Sequence, residues 1–426
     1  MNDKISAQTT SLPKTVPNLS MAKWQAFNLY NKEEWQRAAD LCVQILLQAP
    51  QDIDILHLFG AILGRLKQPM EALHHLLQAA RFNSTNHARI YNNLGNCILD
   101  AAVSLSNFTR IIHPDLVRMD SPKRIFLRDL PELGDHLPLV SVVVPCYNHE
   151  QYIVEALLSV FSQTYPNIEI IVIDDGSRDL TVERIKHILG ESPFPLHFIA
   201  RENKGAHATI NEGIEMAGGE YVCILNSDDR YTSNRIDALT RLLVANNKSW
   251  GFSEVGFINE NSEPITRGKH SMVDDLMRGR DSLDQNIPIT LGFGYFNYAI
   301  STGNLFFSKT LWKRLGGFRD YRYVHDWDFC LRALQWESPS ILCERAYEYR
   351  IHGTNTIHES KERSVLETYQ MLRNWKNAIN EAASIDPNRI RLLKGSWELA
   401  MLRTNQAYLI GKERLLEMGE MVLAAK

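Results

Sequence analysis

Three hydrophobic runs, each ending in a polar cluster, limit what this chain can fold into more than any other feature. VSVVVPCYN closes on Pro145-Cys146-Tyr147-Asn148, IEIIVIDDGS on Asp174-Asp175-Gly176-Ser177, and GEYVCILNSDD on Asn226-Ser227-Asp228-Asp229. Runs this short and apolar read as strands buried on both faces. Between and after them, ALLSVFSQ, TVERIKHIL and HATINEGIEMA read as crossover helices. Such alternation predicts a parallel sheet with helices on both faces, where ligands bind at the carboxyl ends of the strands. Chain order alone therefore gathers the three clusters on one edge. One aspartate pair at a strand end can be a helix cap, but three polar ends on one edge indicate a site.

With 426 residues the chain is long enough for two or three domains. Hydrophobic residues at 44% and charged residues at 23% exclude a disordered chain. The 46 basic against 50 acidic residues leave a net charge of -4, so nothing global draws the protein to nucleic acid or an anionic membrane, and any phosphate site must be local. The six cysteines are scattered without a CxxC pair, which fits reduced thiols rather than a zinc knuckle or disulfide framework. The N-terminus lacks the apolar core of a signal peptide, and no run reaches the length of a membrane span. The expectation is a cytoplasmic protein without an integral membrane segment, at most peripheral to the inner face of a membrane.

Upstream of the sheet the periodicity is helical from Trp24 to about Ala102. Ala38 is answered by Ala72 and Phe59-Gly60 by Leu94-Gly95, a period of about 34 residues, and Pro50 stands where a helix should stop. This stretch resembles tetratricopeptide repeats, with Ser84 where a second proline is expected. The plain alternative is an ordinary helical bundle. The expected division is a flexible leader over 1–20, tetratricopeptide-like helices over 21–110, a proline-punctuated linker over 111–138, the α/β domain over 139–358 and a helical C-terminal segment over 359–426. That last segment, broken at Pro387, could cover the acceptor side or mediate dimerisation.

The ordered set VVVPCYN, IDDGS, ENKG, LNSDD, GGF and HDWDFCLR, spread from about Leu139 to Ile357, resembles family-two glycosyltransferases. The resemblance implies the GT-A fold, a Rossmann-like α/β sheet that handles nucleotide-diphospho-sugars. It also implies transfer of a sugar, by default a UDP-linked hexose or N-acetylhexosamine, to a glycan or protein acceptor. Matched by position, Pro145 and Tyr147 would line the nucleobase pocket, Tyr147 by stacking, and Asp175 would accept a hydrogen bond from the base. Lys204 stands in the ENKG loop, where the family presents donor-binding groups. Asp228 and Asp229 occupy the metal motif, with Asp229 as main ligand of Mn2+ or Mg2+. His352, in YEYRIHGTN, stands where some relatives hold metal or diphosphate. Asp326 matches the catalytic base, and direct displacement at the anomeric carbon would invert it.

The chain departs from the family pattern in places. Asn226 opens the metal motif where aspartate is common, Ile210 precedes Asn211 where many relatives have arginine, and His325 replaces a glutamate before the base. The loss of that arginine leaves Lys204, or a basic residue elsewhere such as Arg267, to meet the phosphates. Asp328 reads as a carboxylate serving helix N-terminal amides. Trp327 and Trp336 could stack on a sugar or simply serve the core, with an acceptor role slightly favoured for Trp327. His270 and His358 read as surface residues. Two other readings stand beside the transferase. A nucleotidyltransferase should carry a basic, glycine-rich loop after the first strand, which PCYNHEQYI lacks. A nucleotide-binding scaffold would use the helices to hold a protein partner, but it need not keep Asp175, Asp228, Asp229 and Asp326.

Overall fold

The computed structural model describes residues 16, 18–83, 87–102, 105–116, 124–134, 136–281, 287–356, 359–381 and 386–425. Most of the expected leader lies outside these residues, as do Ser84 and His358. The chain divides into two compact units, Met1–Pro114 with Glu398–Lys426, and Asp115–Trp397.

The first unit is helical: α1 (Leu19–Asn31), α2 (Trp35–Gln48), α3 (Ile53–Arg65), α4 (Pro69–Phe82), α5 (Ala88–Ala101) and α6 (Leu105–Ile112). From α1 to α5, each helix packs on the next. Local chemistry sets their starts. The Asn18 and Asp52 side chains accept from the amides of Met21 and Ile55, and Pro69 begins α4, where its missing N–H costs nothing. Ala38 and Ala72 are fully buried. Gly60 and Gly95 mark close approaches, the first to Leu76 of α4 and the second to Leu402 and Ala407. The C-terminal helix Lys412–Ala424 packs on α4, α5 and α6, so the end of the chain closes this helical unit.

The second unit is built on one sheet. Its elements run β1 (Arg124–Ile125), β2 (Val140–Cys146), α7 (Ile153–Phe161), β3 (Ile168–Asp174), α8 (Thr181–Ile188), β4 (Leu196–Ala200), α9 (Ala206–Met216), β5 (Tyr221–Ile224) and β6 (Arg230–Tyr231). They continue through α10 (Arg235–Asn246), β7 (Trp250–Ile258), α11 (Ser271–Asp281), α12 (Ile289–Tyr295), β8 (Leu305–Ser308), α13 (Lys309–Leu315), α14 (His325–Ala333), β9 (Ser340–Arg350), α15 (Lys361–Glu381) and α16 (Pro387–Arg403), whose residues from Glu398 on belong to the first unit. The strand order is β1-β9-β7-β8-β5-β2-β3-β4, with β6 paired to β9.

The stretch β5-β2-β3-β4 is parallel, as the alternating sequence requires, and Cys146 pairs with Asp174, so the first two polar clusters emerge side by side. Beyond β5 the sheet departs from the expectation of parallel strands throughout. β8 runs antiparallel to both β5 and β7, which makes the sheet mixed. After β7 the chain makes an excursion through α11 and α12 and comes back beside the same strand, and an antiparallel return needs no crossover helix. β1, from the stretch read as linker, joins the sheet edge parallel to β9. Val140, Val142, Val144, Ile168, Ile170 and Val172 are buried on the sheet against Leu157 and Val160 of α7, and this core fixes where the strand ends open. Among the described residues no helix is long and apolar enough to cross a membrane.

Candidate functional site

A cavity of about 700 Å³ opens at the carboxyl ends of β2, β3 and β5, and its lining includes Pro145, Tyr147, Asp175, Asp228 and Asp326. The sheet thus brings together residues that are far apart in sequence. Tyr147 is 41% exposed, which leaves a ring face free for stacking. Asp175 is buried and held from several sides. Its Oδ1 accepts from the Lys204 amide at 2.8 Å and from the Arg201 guanidinium, and its Oδ2 accepts from the Gly205 amide at 2.9 Å. Asp174 turns back instead, accepting from the amides of Gly176 and Ser177, and so shapes the turn.

Lys204 does not reach the cavity with its side chain. Its ammonium lies 3.5 Å from Glu212, and the lining residues at this point are Asn203 and Gly205. The loop contributes its backbone amides to Asp175 rather than a cation. Arg267 is paired with Asp281 at 2.7 Å and lies outside the lining as well.

The aspartate pair after β5 splits. Asp228 faces the cavity, where its Oδ2 lies 3.1 Å from His352 Nε2 and 3.9 Å from His149 Nε2. Asp229 points the other way and is 1% exposed. Its Oδ1 accepts from the Arg350 amide at 2.7 Å, and its Oδ2 accepts from Asn226 Nδ2 at 3.1 Å and from the Tyr347 hydroxyl. β6 begins at the next residue, and successive side chains entering an extended segment alternate sides. The same contacts explain Asn226, whose amide donates to a carboxylate where an aspartate would repel it. Burial and the Asp228 charge beside it push the Asp229 carboxyl well above the ordinary range. Burial pushes Asp228 up too, but the facing His149 and His352 hold it below its ordinary value.

The ligand atoms offered by His149, Asp228 and His352 all lie within 4.8 Å of one another. The expected main ligand, Asp229, is outside this group, and His149, which the sequence reading passed over, is inside it. Each imidazole is oriented through its other nitrogen. His149 Nδ1 meets Ser227 Oγ at 2.7 Å, and His352 Nδ1 meets Thr354 Oγ1 at 2.8 Å, which aims both Nε2 atoms at Asp228. Two imidazoles and one carboxylate fit a divalent transition metal better than magnesium, which favours oxygen ligands. Beneath them Arg350 fixes the turn, its Nε donating to the Asp228 carbonyl at 2.7 Å and its Nη2 pairing with Glu155 at 2.5 Å.

Asp326 opens into the same cavity from the first turn of α14. Its Oδ2 accepts from Asn297 Nδ2 at 3.0 Å and its Oδ1 from the Trp327 amide at 2.7 Å. Burial raises its carboxyl above the ordinary range, against the lowering pull of His325 and these donors. His325 is depressed by burial, and its Nδ1 faces the Tyr321 carbonyl at 3.2 Å. That nitrogen must therefore carry the proton, and Nε2 accepts from the Thr302 hydroxyl at 2.8 Å.

The neighbouring residues are structural. Trp327 donates its indole N–H to the Phe293 carbonyl at 2.9 Å and is not part of the lining, and Trp336 stacks under the Arg314 guanidinium. Asp328 serves no helix amide. It pairs with Arg332 at 2.6 Å, and Arg332 in turn donates to the carbonyls of Leu315 and Gly317 at 2.7 and 2.9 Å, clamping the GGF turn to α14. Both side chains of this pair are nearly inaccessible, at 3% and 6%, so removing Asp328 leaves the Arg332 charge buried without a carboxylate. Asp328→Ala is expected to cost about 3–5 kcal/mol of stability in urea unfolding. A loss below about 1 kcal/mol would mean that this clamp does not hold α14.

Residues 141–301 match the sequence family described as glycosyl transferase family 2. The second unit carries a family 2 glycosyltransferase domain. An uncharacterised glycosyltransferase of Rickettsia typhi is 29% identical over 263 residues, which covers 61% of this chain and 76% of that protein. The glycosyltransferase GlyG of Streptococcus pneumoniae is 43% identical over 102 residues, 24% of this chain and 34% of that one. Among solved structures, a mannosyltransferase of Pyrobaculum calidifontis in complex with GDP-Man and Mn2+ aligns with a TM-score of 0.50 at 17% identity, covering 79% of this chain and 86% of that one. The mixed sheet of the glycosyltransferase domain is accordingly GT-A-like. The family match ends at Ser301, so Asp326 is joined to it by the lining of the cavity and His352 by its contact with Asp228.

Proposed function

We propose that the domain is an inverting glycosyltransferase that takes its sugar from a nucleoside diphosphate, in first reading a UDP-linked hexose or N-acetylhexosamine. The acceptor is a glycan or a protein. The proposal rests on one observation, the His149–Asp228–His352 cluster, whose His149 and Asp228 line the same cavity as the buried Asp326 carboxylate. In this reading Tyr147 stacks on the nucleobase, Asp175 receives a base N–H, and the three clustered residues hold manganese. When bound, that cation neutralises the departing diphosphate. Asp326, oriented by Asn297, takes the acceptor proton as the hydroxyl attacks opposite the leaving group, and the anomeric carbon inverts. A protein acceptor stays beside a glycan because the first unit is a helical array, an architecture suited to holding a peptide.

The test is a thermal-shift panel of UDP-hexoses, UDP-N-acetylhexosamines and GDP-sugars, with manganese and with excess chelator. A ligand bound only by the folded protein at about 100 times Kd adds roughly 2.7 kcal/mol and shifts melting by several degrees. The expected result is a shift with UDP-sugars that needs manganese. A shift with GDP-sugars alone would replace the nucleotide, one that survives chelator would remove the metal, and identical melting with every donor would overturn the donor reading.

A further inference from the structure

A leaving diphosphate carries several negative charges, and neither side chain first considered for it, Lys204 or Arg267, reaches the cavity. Among the described residues that line the cavity there is one arginine or lysine, Arg322. It stands on the segment just before α14, four residues ahead of Asp326. Its backbone is pinned from α15, where the Glu367 carboxylate accepts from the amides of Arg322 at 2.9 Å and Tyr323 at 2.7 Å. The guanidinium is held by Glu359, which accepts from Nη2 at 2.5 Å and Nε at 3.2 Å. Glu359 lines the cavity too, and the paired side chains are 45% and 44% exposed. A planar guanidinium offers a carboxylate the same two-pronged face that it offers a phosphate. An ion pair this open to water is worth little, so a ligand bearing phosphate can displace the carboxylate at small cost.

We propose that Arg322 is the side chain that grips the donor's diphosphate, and that Glu359 occupies its binding face until the donor arrives. This rests on the donor reading above and deepens it. The contact recruits a positive charge that is neutralised in the resting site and exposed to the phosphates only when the donor is seated. Arg322 then also ties donor binding to the segment that carries Asp326, because both sit on the one stretch of chain pinned by Glu367.

The probe is UDP with manganese, run beside uridine, which lacks the phosphates, and GDP, in calorimetry on the full chain. Arg322→Ala is expected to weaken UDP by about 10- to 100-fold, the scale of a lost charge-assisted hydrogen bond, and to leave uridine unchanged. Arg322→Lys should recover part of the loss. Glu359→Gln, which removes the competitor and keeps the shape, should tighten UDP several-fold and uridine not at all. All three side-chain changes sit in a half-exposed pair, so melting without ligand should move little. Equal UDP affinity in Arg322→Ala and the parent overturns the assignment and leaves the donor reading intact, as does a loss that falls equally on uridine and UDP. A parent chain that binds neither UDP nor GDP overturns the donor reading and the Arg322 role with it.

Discussion

Asp326→Asn is expected to lower transfer by about 10²–10⁴-fold, the usual cost of a lost general base, while donor affinity stays within about twofold of the parent. The variant keeps the shape and one of the two accepting contacts: its amide oxygen still accepts from the Trp327 amide where Oδ1 does so at 2.7 Å, while an amide nitrogen replaces the Oδ2 that accepts from Asn297. What it loses is the capacity to take the acceptor proton. The pH profile gives a second reading of the same group. Burial raises the Asp326 carboxyl above the usual carboxylate range. A base must be ionised to act, so kcat/KM should be full above the raised pKa and fall as pH drops through it, with the acid limb above that of an ordinary aspartate near 3.9. Asn297 is one of the donors that pull the value down, so Asn297→Ala should move the acid limb to still higher pH. An acid limb that does not move in Asn297→Ala would detach the limb from Asp326. The product of the parent enzyme should carry the inverted anomeric configuration, and retention seen by NMR would remove direct displacement altogether.

The sequence made much of this legible because period and chain order are local properties. Three buried runs with polar ends sufficed to place Tyr147, Asp175 and Asp228 on one edge, and α14 opening with Asp326 followed from its acidic first turn. The reading stopped where the answer depended on partners distant in sequence. Whether Asp228 or Asp229 faced the cavity turned on β6 starting at Arg230, and β6 exists because it pairs with Glu348 and Tyr347 more than a hundred residues later. His149 was written beside the first polar cluster, yet a lone histidine announces nothing until His352 is folded against it. Lys204 was plausible as a phosphate contact because loops do present cations, and only the Glu212 carboxylate beside it shows where that charge is spent. Arg322 carried no motif at all. The antiparallel β8 escaped for a similar reason, since a four-residue strand reads the same in either direction.

The sharpest division of labour lies within the aspartate pair. Asp228→Ala should abolish manganese-dependent donor binding and lower transfer on the order of 10³-fold or more, since Lewis-acid assistance is worth several kcal/mol. It removes the one carboxylate of the cluster and leaves two imidazoles with nothing between them, but it removes no contact from the sheet beneath. Asp229→Ala is a different lesion. From sequence this carboxylate was the expected main ligand of the metal. In the structure it is 1% exposed and accepts from the Arg350 amide, Asn226 and the Tyr347 hydroxyl. Leaving such donors unsatisfied costs about 1–3 kcal/mol for each group, so this variant should lose stability in urea and lose activity because the turn that presents Asp228 loosens. The two substitutions therefore separate on paired measurements, melting without ligand and manganese binding by calorimetry. Asp228→Ala should melt near the parent and fail to bind metal; Asp229→Ala should melt well below it and retain weakened binding below its transition. If instead Asp229→Ala melts like the parent and binds no manganese, Asp229 is the ligand and the cluster of His149, Asp228 and His352 is not the metal site.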